Sequence, residues 1–413
     1  MKVRRLAAVL LLSLLLWPAL PTQAQAPVRV WVDDDYCQHC TNDGHTLGVD
    51  AFTTISAALR VLAPGGTVYV GPGNYPEDVR IVRSSKLVAE KPGEAVLLSR
   101  FGDVTLTIAA NDVSVEGLQI VGGKQAAVLV VGPDFQHEQI RRVALRRNLI
   151  RDGLFGVAVN VDIQRSYDPR PILWPEFGDS RLSPWGLRSS PTMSLGASGG
   201  LLVANAKWDY GLLPATGVVI SDNTVTGCKR AVYVYNTEAE ITGNSISGLA
   251  ADGIGIYSSQ DSVARIRANT VSVDAPNSRA IYILGNRDTV IEGNTLVGAT
   301  EILTPTTALA LYSYTNLLVS DNTVRGFYWG ASATTGGSAR IAGNTFDSTV
   351  GWALDVGTAI TTTQVTIENN VIRGSYGGLR LDDGGGYGLE ANVQGNAFYD
   401  NVTGIQVGAA VQK

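Results

Sequence analysis

The sequence predicts an all-β solenoid, a chain that climbs in short stacked rungs around one apolar core. Three observations predict it. First, an asparagine recurs at Asn148, Asn223, Asn244, Asn269, Asn294, Asn322, Asn344, Asn370 and Asn396, and after the first gap successive members lie 21 to 28 residues apart. Each has an aliphatic residue at −3 and an apolar one at +2, as Ile291 and Leu296 flank Asn294. A period in this range marks a repeat array. Second, a segment with period-two alternation accompanies each repeat, as in "AVYVYN" and "GIGIYS", so these are half-buried strands. Third, 413 residues exceed one ordinary core of about 250–300 residues, and no long Pro/Ser-rich linker divides them.

Stacked rungs place equivalent residues about 4.8 Å apart. An inward asparagine at the same corner of each rung can then donate to the next and accept from the last, which meets the cost of burying it. The other reading, exposed turn asparagines, stays open at this point. Leucine is too sparse for a leucine-rich horseshoe, and a propeller blade needs about 40–50 residues.

From the N-terminus, residues 1–24 read as a signal peptide: a basic start, an apolar run over Leu6–Leu16, and Thr22-Gln23-Ala24 at the exit. The run is shorter than the ~20 residues a membrane span needs, so no stable span is expected after its removal. Losing Lys2, Arg4 and Arg5 moves the formal charge from −5 to −8, which argues against nucleic acid as a partner. A secreted, extracellular protein is expected, with the periplasm or the cell surface as the alternatives.

Residues 25–100 read as a cap and first coils. Phe52, Ile55, Ala58, Leu59 and Leu62 fall on one helical face, which Pro64-Gly65-Gly66 ends. "DYCQHC" holds Cys37 and Cys40 with His39 and His45 close by. A disulfide is the expectation for an exported C-x-x-C, with a zinc site as the other reading. Cys228 is expected to be buried and unreactive.

Residues 101–413 supply the coils, with an insertion over 163–200 that is rich in Pro, Trp and Arg and lacks the repeat. Loops of that length are commonly functional. Trp174, Trp185 and the nearby Trp208 are candidate ligand contacts. Nine arginines against five acids between Arg141 and Ser190 make a basic zone on an acidic protein, suited to carboxylates.

If the aliphatics of the second strand point inward, its outward residues run Ala158/Asn160, Tyr233/Tyr235, Gly255/Tyr257, Tyr282/Leu284, Ala310/Tyr312, Ser332/Thr334, Asp355/Gly357, Arg380/Asp382 and Gln406/Gly408. Tyr233, Tyr235, Tyr257, Tyr282 and Tyr312 thus gather on one face, where flat amphipathic rings suit sugars. Tyrosine also simply favours strands, which is the structural alternative.

"WVDDD" followed by "DAFTTISAALRVLAPGGTVYVGPGNYPEDVRI", together with the rungs, resembles the single-stranded right-handed parallel β-helix proteins of the pectate-lyase-like superfamily, secreted bacterial type. The resemblance implies an α-helical cap over the N-terminal end of the solenoid, and covers nearly the whole mature chain. It is specific for fold and weak for activity. Pectate lyases of this fold use an arginine base with calcium held by carboxylates, for which Arg380, Asp355 and Asp382, with Asp383, are the available parts. The Gly-His-Gly segment of polygalacturonase-like members and the Asp-Pro-His-Asp signature of alginate epimerase-like members are absent, and His39, His45 and His137 lie off the tyrosine face.

The function expected is binding or processing of an extracellular, anionic polysaccharide. A non-catalytic cell-surface spacer is the first alternative, and a lyase acting by β-elimination the second. After "NVTGIQVGAAVQK" no amphipathic cap follows, so end-to-end self-association at the last rung is a further expectation.

Overall fold

The computed structural model describes residues 25–132, 139–161, 213–299, 305–358, 362–383 and 387–408. The signal segment, residues 163–200, Trp174, Trp185, Trp208 and His137 lie outside these.

Each coil turns through three short strands, because Gly, Asn or Asp in the left-handed region punctuates the chain every few residues. Stacking gives three wholly parallel sheets of 14, 12 and 12 strands. One coil shows the pattern: Val290–Glu292 joins the first sheet, Thr295–Gly298 the second and Thr307–Tyr314 the third. The inward aliphatics form one continuous core running the length of the stack, including Ile220, Ile241, Ile266 and Ile291, all fully buried. No described helix is long and apolar enough to cross a membrane.

The asparagines form a buried ladder at the corner between the first and second sheets. Each side-chain Nδ2 donates to the Oδ1 of the next, at 2.9–3.1 Å from Asn148 to Asn396. The same oxygen also accepts the backbone N–H of the preceding asparagine, as Asn322 does from Asn294 at 2.9 Å. Nδ2 reaches a carbonyl one rung back as well, Ile266 in the case of Asn294. Every amide therefore has partners for its donors and acceptor, which is what permits burial.

Next to the ladder stands a left-handed residue that obeys a packing rule. Asp222 and Asp321 are each followed one rung on by a glycine, Gly243 and Gly343. A Cβ at either glycine would come within 2.4 Å of the preceding aspartate Oδ1. Side chain and bare backbone alternate because the rungs are too close for two side chains.

At the N-terminal end, helix α1 (Ile55–Val61) packs on the first coil, burying Ile55 and Ala58. Thr54 caps it, and the Glu77 carboxylate accepts the N–H groups of Ile55 and Ser56 at 2.7 and 2.9 Å. Anions suit a helix N-terminus, so the "PED" turn fastens the helix to the first coil. Cys37 and Cys40 are joined as a disulfide, while His45 stacks on Trp31 and bonds Asp50. At the other end, Ile405 and Val407 are 48% and 41% exposed, although they stand in register with buried Leu379 and Leu381.

The long excursion leaves the stack unbroken. Val143–Arg146 pairs directly with Ala215–Ser221, Leu145 opposite Ile220. The insertion expected over 163–200 falls outside the described residues, which stop at Val161 and continue from Leu213. Cys228 is fully buried where the second sheet passes to the third, its Sγ 3.4 Å from the Asp152 and Thr226 carbonyls. Burial pushes its thiol up to about 12. Iodoacetamide at pH 8 should leave Cys228 unmodified in the native protein and label it after unfolding; mass spectrometry reads both states.

Candidate functional site

The third sheet carries the candidate site on its outer side. Its strands begin with a repeated five-residue pattern, as in "FGVAV", "RAVYV", "IGIYS", "RAIYI", "TALAL", "WGASA" and "WALDV". In these strands the second position is Gly or Ala, because it lies against the second sheet. A Cβ at Gly156 or Gly255 would sit 2.7 Å from a valine methyl of the second sheet and 2.6 Å from a carbonyl. The chain bends at this small residue, so the positions on either side of it, three apart, both face out.

That bend corrects the columns expected from simple alternation. Ile254 pairs with Arg230 and Ile256 with Val232, which places Tyr257 opposite Tyr233 and next to Tyr282. Tyr233, Tyr257 and Tyr282 are one column, followed by Ala310, Ser332, Asp355 and Arg380. Tyr235, Ser259, Leu284, Tyr312 and Thr334 are the second. Tyr257 therefore belongs with Tyr282 and not with Tyr235, and the outward residue that accompanies it on its own strand is Ser259 instead of Gly255. Counting from the first aliphatic of "GIGIYS" misplaces the strand, since Ile254 faces out.

A third outward column precedes the other two and was not anticipated. It runs Phe155, Arg230, Ile254, Arg279, Thr307 and Trp329, with Trp352 on the next rung. The small second residue of each strand was the available signal for it.

The rings stack along the solenoid. Phe155 to Tyr233 is 6.0 Å, Tyr233 to Tyr257 4.5 Å and Tyr257 to Tyr282 4.8 Å, with planes within 18° of parallel. Tyr312 then meets Tyr282 edge-on at 88°. The faces are thus occupied by neighbouring rings, and what the column offers outward is ring edge and hydroxyl. This differs from the flat sugar platform expected of tyrosines in a row. Arg230 lies against Phe155, Tyr233 and Tyr257 at 5.6–5.8 Å, and Arg279 against Tyr282 at 5.5 Å. Such contacts hold a guanidinium without neutralising it.

Burial, with the neighbouring Tyr282 second, raises the Tyr257 phenol above its ordinary value; burial and then Tyr312 push Tyr282 up to about 12. Both hydroxyls therefore stay protonated at neutral pH and serve as neutral hydrogen-bonding groups. The Ser259 hydroxyl lies 3.3 Å from that of Tyr233.

Further along, Arg380 donates to both oxygens of Asp355, Nε at 2.8 Å and Nη2 at 2.5 Å, and lies over Trp352 at 5.7 Å. Asp355 is wholly buried. Both oxygens of Asp383 accept backbone N–H groups, from Tyr387 and Gly388. Calcium takes six to eight oxygen ligands. With Asp355 and Asp383 already engaged, Asp382 alone does not make such a site, so these residues do not fit calcium. The one described acidic group tight enough to share an ion is Asp33, Asp34 and Asp35, at the opposite end of the chain.

The arginine zone falls elsewhere. Arg142 pairs with Asp112, Arg147 with Glu116 and Arg151 with Asp152, on the first and second sheets and their corner. Arg165, Arg170, Arg181 and Arg188 lie outside the described residues. The cations that accompany the tyrosines are Arg230 and Arg279.

Residues 211–301 and 255–412 match the family model described as right-handed β-helix region. Among solved structures, a lacto-N-biosidase of glycoside hydrolase family 136 from Eubacterium ramulus is similar at 9% identity, TM-score 0.52, over 92% of this chain and 67% of that one. The Streptococcus pneumoniae surface protein and adhesin PfbA is similar at 9% identity, TM-score 0.50, over 85% and 94%. The A-module of the Azotobacter vinelandii mannuronan C-5 epimerase AlgE6 gives 14% identity and TM-score 0.44, over 86% and 93%. No curated protein matches the sequence at a significant level. At these identities the likeness is one of fold.

Proposed function

Because the chain is a right-handed parallel β-helix, we propose that it binds an extracellular, anionic polysaccharide laid along the outer side of its third sheet. One observation carries the reading. On the three outward columns between Phe155 and Tyr312 the structure gathers five tyrosines and two arginines around hydroxyls and ring edges, without an acidic residue. Such a strip donates hydrogen bonds and attracts negative charge on a protein of formal charge −5. The surface adhesin and the lacto-N-biosidase among the similar structures fit this reading. Export through the basic, apolar N-terminal segment would bring the protein to such a polymer.

Replacing Tyr257 by alanine removes two stacking contacts and one of the three rings against which Arg230 lies. Retention of a Y257A variant on an acidic-glycan array is expected to fall about tenfold, the equivalent of 1.4 kcal/mol, with unchanged circular dichroism. Unchanged retention for Y233A, Y257A and Y282A would favour a rigid surface spacer. That second reading has its own support, since the ring faces are spent on one another. Uronate polymers are expected to yield no unsaturated product. Its appearance, followed by ultraviolet absorbance, would favour elimination at Arg380, Asp355 and Asp382.

A further inference from the structure

We propose that Arg230 and Arg279 read carboxylates on every second sugar, which makes the preferred ligand a polymer in which a uronate alternates with an uncharged residue. This rests on the binding reading above and names its substrate class.

The register fixes the spacing. Arg230 pairs with Ile254 and Ile254 with Arg279, so the two guanidiniums stand two rungs apart in one column. Two strand spacings are about 10 Å, close to the advance of two sugars in an extended chain. Ile254 occupies the rung between them and is nearly buried, at 6% exposure. It offers an apolar surface, with no donor for a charged group. The column thus alternates cation, apolar residue, cation.

Both arginines differ from the ion-paired arginines among the described residues. Arg142, Arg147, Arg267, Arg340, Arg373 and Arg380 each have a carboxylate partner. Arg230 and Arg279 make no ion pair with any described residue and are held instead by ring contacts. Half-buried and pre-positioned over rings, they keep their forked donors for an outside anion, and that fork matches a planar carboxylate. A ring-held guanidinium loses less freedom on binding than one waving in water.

The test compares R230Q, R279Q and the double variant with wild type on polymers of defined charge spacing. Hyaluronan, whose uronate alternates with an uncharged acetamido sugar, is the probe; polygalacturonate, carrying a charge on every sugar, and carboxyl-reduced hyaluronan are the contrasts. Affinity electrophoresis at fixed ionic strength is expected to show tightest retention on hyaluronan and little on its carboxyl-reduced form. Each single substitution should weaken hyaluronan binding about tenfold and the double more, with R340Q, on the first sheet, unchanged. Equal binding of the reduced polymer, equal or tighter binding of polygalacturonate, or wild-type affinity in the double variant would overturn the inference alone, provided Y257A still lowers retention. A wild-type protein that binds none of these polymers would overturn the binding reading and this inference with it.

Discussion

Replacing Asn294 by aspartate is expected to destabilise the coil stack by about 4 kcal/mol at pH 7. In the native ladder Asn294 receives the N–H and Nδ2 of Asn269 on its oxygen, at 2.9 and 3.0 Å. Its own Nδ2 donates to Ile266 O and Asn322 Oδ1, both at 2.9 Å. An N294D side chain keeps the acceptor half of this arrangement and inverts the donor half. A second oxygen then faces a carbonyl and an amide oxygen, in a site only 1% exposed, where charge is costly. N294A removes the same bonds without adding charge and should cost about 2–3 kcal/mol.

The pH dependence separates the two variants. The introduced carboxyl, buried among acceptors, has a folded pKa above its unfolded value near 3.9. Between the two values the folded state binds more protons than the unfolded, so stability falls as pH rises through that window. Below it the protonated group recovers one donor. The melting-temperature deficit of N294D relative to N294A should therefore be large at pH 7 and shrink by pH 4. A deficit that does not change with pH would mean that the site is open to water.

How far these features could be read from sequence depends on whether the signal is local. The ladder was legible because every member carries the same neighbours: an aliphatic at −3 points into the core, an apolar residue at +2 starts the next strand, and the asparagine between them has to turn inward. Asn148 and Asn223 are 75 residues apart in sequence yet share a 3.1 Å bond, because the −3 and +2 pattern is the same on both sides of the excursion. The outer columns were legible only in part. Alternation places Tyr233 and Tyr282 correctly, but it fails for Tyr257, since Ile254 is an aliphatic that faces out. Arg230 and Arg279 were missed for the same reason. They lie three residues before a tyrosine, an odd offset that a straight strand would send to the opposite face. Only the close approach of two sheets at Ala231 and Ala280 makes that offset an even one. The orientation of the rings is less legible still. Sequence places tyrosines on consecutive rungs, but a spacing of 4.5–4.8 Å between centroids leaves parallel stacking as the dense solution, and this turns the faces away from any ligand.

Removing the charge of Arg380 is the second change with a large expected effect, and it distinguishes a structural ion pair from catalytic parts. Asp355 is fully buried and both its oxygens take guanidinium hydrogens. In R380M the apolar stem of the arginine is kept but its fork is lost, so Asp355 is left as a buried charge without that partner. Breaking a pair in this way costs about 3–5 kcal/mol, whereas replacing both members by apolar residues of similar size is often neutral. R380M should therefore lower the melting temperature markedly, and R380M combined with D355L should restore most of the loss, a coupling that a double-mutant cycle measures. Trp352 covers the pair, Gly377 leaves room for that indole, and a Cβ at Gly377 would lie 2.3 Å from it. Groups packed under a ring in this manner are held in place for the stack. If R380M melted like the wild type and the double variant were no better, Asp355 would have to be well solvated without its arginine. The cluster of Arg380, Asp355 and Asp382 would then regain its claim to chemistry, because a carboxylate that water reaches is one that a substrate can reach too.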